Sequence, residues 1–227
     1  MKKLSFIFCL LVVATFAYAE GDVRKIVVTG KSTATLEAQY SIIHISVKRV
    51  NPEMDRSYRD LNQTLSVIID KLKSIGLSDK EITKSIITQG SEYSWERNSR
   101  KHIGYYSSSN LQLRVNNLGS LPAIYNELSK HNSITIQSTE YGRNDEFKKR
   151  DEEFKKALIA AKSKAQTMAK TLEVKLGPVL RIEEIGSRGV ITKAAYANVA
   201  RAPIRETGGT FGSVEIRAMV AVEFELK

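Results

Sequence analysis

Over residues 213–226 the chain alternates almost without a break. Val214, Ile216, Ala218, Val220, Val222, Phe224 and Leu226 fall on one side, and mostly polar residues fall on the other. A strand with one apolar face has to be covered on that side alone, so this chain must build a sheet with a second layer against it. The same period of two opens at Ile26-Val27-Val28-Thr29-Gly30. It runs again through residues 40–50, where Ile43, Ile45 and Val47 share a face and His44, Ser46 and Lys48 point away.

Between the strands the period changes. Asn51 before Pro52 reads as a helix cap with proline in the first turn. Met54, Tyr58, Leu61, Leu65, Ile68, Leu72 and Ile75 follow at steps of three and four, which predicts one helical stripe ending at Gly76. A short helix is expected over 120–130, and a strand begins at Ile134-Thr135-Ile136. Residues 145–172 carry the longest helical pattern, with Phe147, Phe154, Leu158, Ala161, Ala165, Met168 and Leu172 as its stripe. At 1.5 Å per residue that helix is about 40 Å long, so one end is expected to overhang a strand of ordinary length. Ala160, Ala161, Ala165 and Ala169 would let a partner element come close, the plainer reading being helix-on-sheet packing. Gly177-Pro178 is expected to stop the helix, with a strand over 179–185.

Residues 86–95 and 104–115 read as a hairpin joined by the charged turn 96–101. Its middle is polar, with Gln89, Gly90 and Ser91 facing Ser107, Ser108 and Ser109. Tyr93, Trp95, Tyr105 and Tyr106 gather near the turn. A pair of strands with a polar middle is expected to have no buried face there and to project as an arm, the alternative being an ordinary exposed hairpin with cross-strand aromatic pairs. The connection 186–212 is long for a compact domain. It carries Arg188, Lys193, Arg201 and Arg205 with Tyr196 and Phe211, and almost no acid beyond Glu206. This makes it a candidate contact surface for a neighbouring subunit or an anionic partner, against a flexible linker.

The first nineteen residues read as an export leader. Lys2 and Lys3 precede an apolar run over 4–16, too short to span a bilayer, and Ala17-Tyr18-Ala19 follows as a small-residue cleavage site. The 208 residues from Glu20 onward then lack cysteine, since Cys9 lies in the leader. Disulfides, a thiol nucleophile, a redox-active cysteine pair and cysteine-bound zinc are thereby excluded. The leader holds two lysines and no acid, so the formal charge of +10 falls to +8. In an exported protein that charge points to anionic lipid, lipopolysaccharide, cell wall or an acidic partner rather than nucleic acid. The signs are mixed in Lys148-Lys149-Arg150-Asp151-Glu152-Glu153, as on a solvated helix face.

No motif for chemistry stands out. His44, His102 and His131 have no metal-ligand spacing. The run Gly208-Gly209-Thr210-Phe211-Gly212 precedes a strand, not the helix N-terminus that a phosphate loop requires. Neighbouring acids at Glu152-Glu153 and Glu183-Glu184 diverge on a helix or strand. No catalytic, metal or cofactor residues are assigned, and the chain is expected not to be an enzyme.

In order, four stretches resemble the SIMPL-domain family, which includes bacterial envelope proteins of the oxidative-stress defence and periplasmic immunogenic antigen types. They are Ile26 to Gly30; Gly76-Leu77-Ser78-Asp79-Lys80-Glu81-Ile82-Thr83 with Tyr93 and Gly104-Tyr105; Ala161, Lys164-Ala165, Met168-Ala169 and Leu176-Gly177-Pro178-Val179; and residues 214–226. Two departures are local: Ala38-Gln39 replaces a frequent Pro-Asp, and Glu173 stands where glycine is common. The resemblance implies an α+β fold of SIMPL type, with mixed or antiparallel sheets packed with one long and two shorter helices and a projecting β-hairpin. Residues 20–227 would form one such domain, or two subdomains with the long loop 186–212. It further implies a ring-like or barrel-like homo-oligomer and a link to oxidative-stress tolerance, with no catalytic residues to carry over. The expected location is the periplasm, with association to the outer membrane as an extension. The expected contacts are Tyr93, Trp95, Tyr105 and Tyr106 on the arm and the basic and aromatic residues of the loop. The alternative is a monomer that binds an anionic envelope component.

Overall fold

The computed structural model describes residues 24–96, 99–185 and 212–227. The expected leader and the loop candidates Arg188, Lys193, Tyr196, Arg201, Arg205 and Phe211 lie outside the described residues.

Strands β1 (Lys25–Glu37) and β2 (Tyr40–Asn51) lead into helix α1 (Met54–Ser74). Then come β3 (Ile82–Lys84), β4 (Thr88–Glu96), β5 (Ser99–Val115), α2 (Leu121–Ser129), β6 (Ile134–Gly142), α3 (Glu146–Thr171), β7 (Leu176–Glu184) and β8 (Ser213–Leu226). They form two sheets. One runs β3-β5-β2-β6 with β4 also paired to β5, and the other runs β1-β8-β7. Every pairing is antiparallel, so of the two expected sheet types the antiparallel one holds in an α+β fold.

The first core lies between the larger sheet and helices α1 and α2. Ile43, Ile45 and Val47 of β2 and Leu111 and Leu113 of β5 meet Leu61, Leu65, Ile68 and Leu72 of α1 and Ile124 and Leu128 of α2. The α1 stripe differs at its start from the expected one. Met54 and Tyr58 are exposed, and the buried position in the first turns is Ser57. Asn51 is the last residue of β2 rather than the cap itself. Its Oδ1 accepts from the Glu53 N–H at 3.1 Å, and its Nδ2 donates to Asp60 at 3.1 Å.

Ser57 explains a second departure. The polar middle of the hairpin does have a buried face, because Ser107 and Ser109 are sealed against α1. The Ser57 and Ser107 hydroxyls lie 2.8 Å apart, and Gln89 Nε2 donates to Ser107 Oγ at 3.0 Å. Ser109 donates to the Ser85 carbonyl at 3.1 Å. Small hydroxyls that bond one another can be buried where a lone polar group could not. The arm therefore begins farther out than the polar pattern suggests.

The second core joins the chain ends. Strands β1 and β8 pair from Lys25↔Glu225 to Glu37↔Ser213, and α3 lies on them. The alternation in β8 holds as expected, with Val214, Ile216, Ala218, Val220, Val222 and Phe224 all buried. On α3 the buried face is Glu153, Ala157, Ala161, Ala165 and Ala169; of the expected stripe Ala161 and Ala165 are buried and Phe154 and Leu158 pack beside them, while Phe147, Met168 and Leu172 are exposed. Alanines permit the close approach, and it is helix-on-sheet packing. At Gly30 of β1 an added methyl would run into the Ala157 carbonyl oxygen and lie 2.7 Å from the Ala161 nitrogen. The expected overhang is not required by length. Twenty-six helical residues rise about 39 Å, whereas the 13 residues of β1 extend about 44 Å.

Gly177-Pro178 does not stop the helix either. It lies inside β7, where the register with β8 slips between Leu176 and Val179. The stop is Glu173, at φ 55°, with the Val174 N–H bonding Ala169 O at 3.0 Å and the Glu173 N–H bonding Lys170 O at 3.2 Å. That is the hydrogen-bond pattern of a left-handed helix cap, and glycine is the residue that adopts it without cost. Helix α1 ends the same way with Gly76 at φ 111°.

One carboxylate is built into the α3–β1 seam. Glu153, 3% exposed, accepts from Ser32 Oγ of β1 at 2.5 Å and pairs with Lys156 at 2.5 Å. The hydrogen bond from Lys156, then that from Ser32, holds its carboxyl below the usual glutamate range against the opposing effect of burial.

Three outcomes are expected. Gly30→Ala should lower the unfolding free energy by about 3 kcal/mol, read as a lower urea midpoint at unchanged slope, because helix backbone must move. Glu173→Gly should raise stability by about 1 kcal/mol, or a melting temperature higher by about 2–4 °C. Glu153→Gln should be less stable than wild type at pH 7. A carboxylate whose folded pKa is lowered stabilises above its unfolded pKa and loses that contribution as pH falls through the folded value. The gap should therefore close below the ordinary glutamate range, and a gap constant from neutral to strongly acid pH would exclude this role.

Candidate functional site

The hairpin becomes a free arm where β2 ends. Asn51 is opposite Tyr105, the last pair that β2 makes with β5. Beyond it β5 pairs only with β4 among the described residues. The exit is marked by a bulge. Glu92 opposes Gly104 and Tyr93 opposes His102, which leaves Ile103 as the extra residue. Gly104 has φ 137°, and a side chain there would come 2.6 Å from the Asn51 carbonyl oxygen. Both the conformation and the space require glycine, which gives the Gly104-Tyr105 pair a physical meaning.

Past the bulge one face of the arm carries a ladder of rings and cations. Tyr93 and His102 meet edge-on with centroids 5.3 Å apart, and His102 meets Tyr105 in the same way at 5.1 Å. The Arg100 guanidinium lies 3.7 Å from the centre of the Tyr93 ring. Trp95 is paired with Arg100 in register and is 76% exposed. This face continues the side of β5 that carries Ser107, Ser109, Leu111 and Leu113 against α1. The helix-facing surface of the sheet thus runs on past the helix, with aromatic side chains and no cover among the described residues.

Tyr106 belongs to the other face. It lies against Gly90, where an added methyl would be 2.9 Å from its ring, and Lys48 Nζ of β2 sits 4.7 Å from its centre. Lys48 also holds both oxygens of Glu92, at 2.8 and 2.7 Å. Of the four arm residues expected to act together, Tyr93, Trp95 and Tyr105 share a face, and Tyr106 fastens the base of the arm to β2. Arg100, His102, Lys48 and Gly90 were missed. Arg100 and His102 alternate in sequence, but the bulge hides which aromatics they meet.

Nothing in this arrangement assembles reactive groups. Among the described residues no three of His, Cys, Asp or Glu come together as a metal site. The adjacent acids diverge as expected: Glu152 pairs with Lys149 at 2.8 Å while Glu153 turns inward, and Glu183 pairs with Arg181 at 3.0 Å while Glu184 pairs with Arg150 at 2.6 Å. His44 lies 3.8 Å from Glu140, and His131 lies 3.6 Å from Glu127, on separate elements. Burial pushes the Tyr125 phenol up, and it bonds Thr139 inside the protein rather than in a cleft. What the arm offers is contact area. Aromatic rings with little rotamer freedom, beside cations, are the chemistry of protein contacts.

Among the described residues no helix is long and apolar enough to cross a membrane. Over 217 residues, 89% of this chain and 85% of the relative, the sequence is 25% identical to the 26 kDa periplasmic immunogenic protein of Brucella melitensis. A protein of the same name from Brucella abortus is similar to the same extent. Residues 26–224, from within β1 to within β8, match the SIMPL family, described as a protein of unknown function (DUF541). The chain belongs to the SIMPL family.

Proposed function

We propose that this protein is exported to the periplasm, is not an enzyme, and self-assembles there, with the arm as a subunit contact, in support of envelope integrity or tolerance of oxidative stress. The single observation that carries the proposal is the helix-side face of the arm, uncovered among the described residues, where Trp95 stands 76% exposed at the end of the ladder through Arg100, Tyr93, His102 and Tyr105. A second subunit laid on this face would do for the arm what α1 does for the rest of β5. Burying such a tryptophan contributes about 1.5–3 kcal/mol, and interface energy concentrates in side chains of this kind. The leader pattern around Lys2, Lys3 and Ala17-Tyr18-Ala19 supports export, as does the word periplasmic in the relatives' names. With the only cysteine in that leader, protection against oxidants runs through envelope organisation rather than thiol chemistry.

Light scattering on residues 20–227 at low and high salt tests this. A discrete oligomer that survives salt is expected, and Trp95→Ser with Tyr93→Ser should reduce its mass while circular dichroism stays unchanged. A wild-type monomer would overturn assembly; an unchanged mass in the double variant would remove the arm from it.

A further inference from the structure

Among the described strands β7 is the least covered. It is an edge of its sheet, paired among the described residues with β8 alone, and α3 passes over β1 and β8 beside it. Between α3 and β7 lies an open groove of about 520 Å³, lined by Leu158, Lys162 and Gln166 on one side and by Val179 and Ile182 on the other, with Phe224 beneath. Val179 is 48% exposed, Leu180 47% and Ile182 54%. An apolar strand that is an edge among the described residues is a template for another strand.

The direction of the backbone groups in β7 follows from the register. The Ile185 N–H donates to Met219 O at 2.9 Å, and Glu183 and Arg181 oppose Ala221 and Glu223 in step with it. Along an antiparallel strand the hydrogen-bonding direction alternates, so Arg181 and Glu183 bond inward to β8. Ile182 turns its N–H and C=O groups to the side away from β8.

Charges guard many strand edges, and Arg181, Glu183 and Glu184 would do so here. Yet Arg181 and Glu183 are opposite in sign and flank Ile182 symmetrically, and their side chains lie on one face, 3.0 Å apart. This makes the strand complementary to itself. In antiparallel pairing with a second copy, a two-fold axis at Ile182 sets the two Ile182 backbones to exchange hydrogen bonds. It also places Arg181 opposite Glu183 of the second copy, twice, in the closely spaced non-hydrogen-bonded pairs. An axis at Glu183 would oppose two glutamates, and one at Arg181 would oppose two arginines. We propose that the β7 edge is a homotypic strand-pairing site, joining two copies of this chain about a two-fold axis at Ile182 into one continuous sheet of six strands. The contact is isologous, as two-fold interfaces are, and leaves the arm free for a different neighbour. It does not depend on the arm.

The absence of cysteine after the leader makes the test specific. Ile182→Cys in residues 20–227 places two thiols on the axis, with Cα atoms about 5.5 Å apart, inside the range a disulfide spans. Mild oxidation should give a disulfide-linked dimer as the main product. Leu180→Cys alone should stay monomeric on a reducing-agent-free gel, because its counterpart lies about four residues, or 14 Å, along the second strand. Adding Glu183→Arg to Ile182→Cys should cut the yield at least fivefold, and adding Arg181→Glu as well should restore it. Absence of cross-linking in Ile182→Cys, equal cross-linking in Leu180→Cys, or no restoration by the charge exchange would overturn the proposal. Repeating the Ile182→Cys measurement in the Trp95→Ser, Tyr93→Ser background separates the two contacts: loss of the large assembly with the cross-link retained is the expected result.

Discussion

The antiparallel ladder between β1 and β8 is the constraint on which the rest of the molecule depends. It brings the first described strand to the last, so the smaller sheet exists only after nearly the whole chain is in place. Its inner face, Ile26 and Val28 with Ala218, Val220, Val222 and Phe224, is a hydrophobic layer that α3, among the described residues, covers. The helix can settle there because Gly30 gives up its side chain and α3 presents alanines in return. Long-range pairing of this kind makes loop closure a late and costly step in folding, whereas the α1–α2 core draws on segments much closer in sequence.

Much of this was legible from residues. The period-two runs at Ile43-Ile45-Val47 and through β8 located strands because each has one buried face, and the α1 leucines located their helix for the same reason. On α3 the expected stripe is right at its middle, Ala161 and Ala165, and wrong at its large apolar ends, Phe147 and Leu172, which are left outside. Closeness of approach, not hydrophobicity, chose which side faces the sheet, and nothing local in the sequence reports how near a strand will come. The hairpin failed in a related way. Ser107 and Ser109 look like solvent-facing residues until Ser57, fifty positions away, supplies the partner that lets them be buried.

At the arm, sequence gave residue types and not their grouping. Tyr105 and Tyr106 are neighbours in the chain and so fall on opposite faces, and one extra residue at the bulge brings Tyr105, His102 and Tyr93 onto a single face. The left-handed conformations at Gly104 and Glu173 show the same division. Glycine at the first announces itself, while glutamate at the second conceals a helix end, and the more conspicuous Gly177-Pro178 a little farther on lies inside β7. In the long connection, the basic and aromatic residues were visible as composition alone.

The ladder that opens the smaller sheet also brings its two ends to one corner. Arg24 O accepts from the Leu226 N–H at 2.8 Å, and Lys175 and Lys227 exchange backbone hydrogen bonds at 2.8 Å beside it. Antiparallel hydrogen bonds lie across the strands. A load applied between the termini therefore meets them one at a time, opening β1 from β8 like a zip rather than shearing all of them together. A load applied through the arm or the β7 edge bypasses that weak corner, so this fold is mechanically soft when held by its ends and firmer when held by its surfaces.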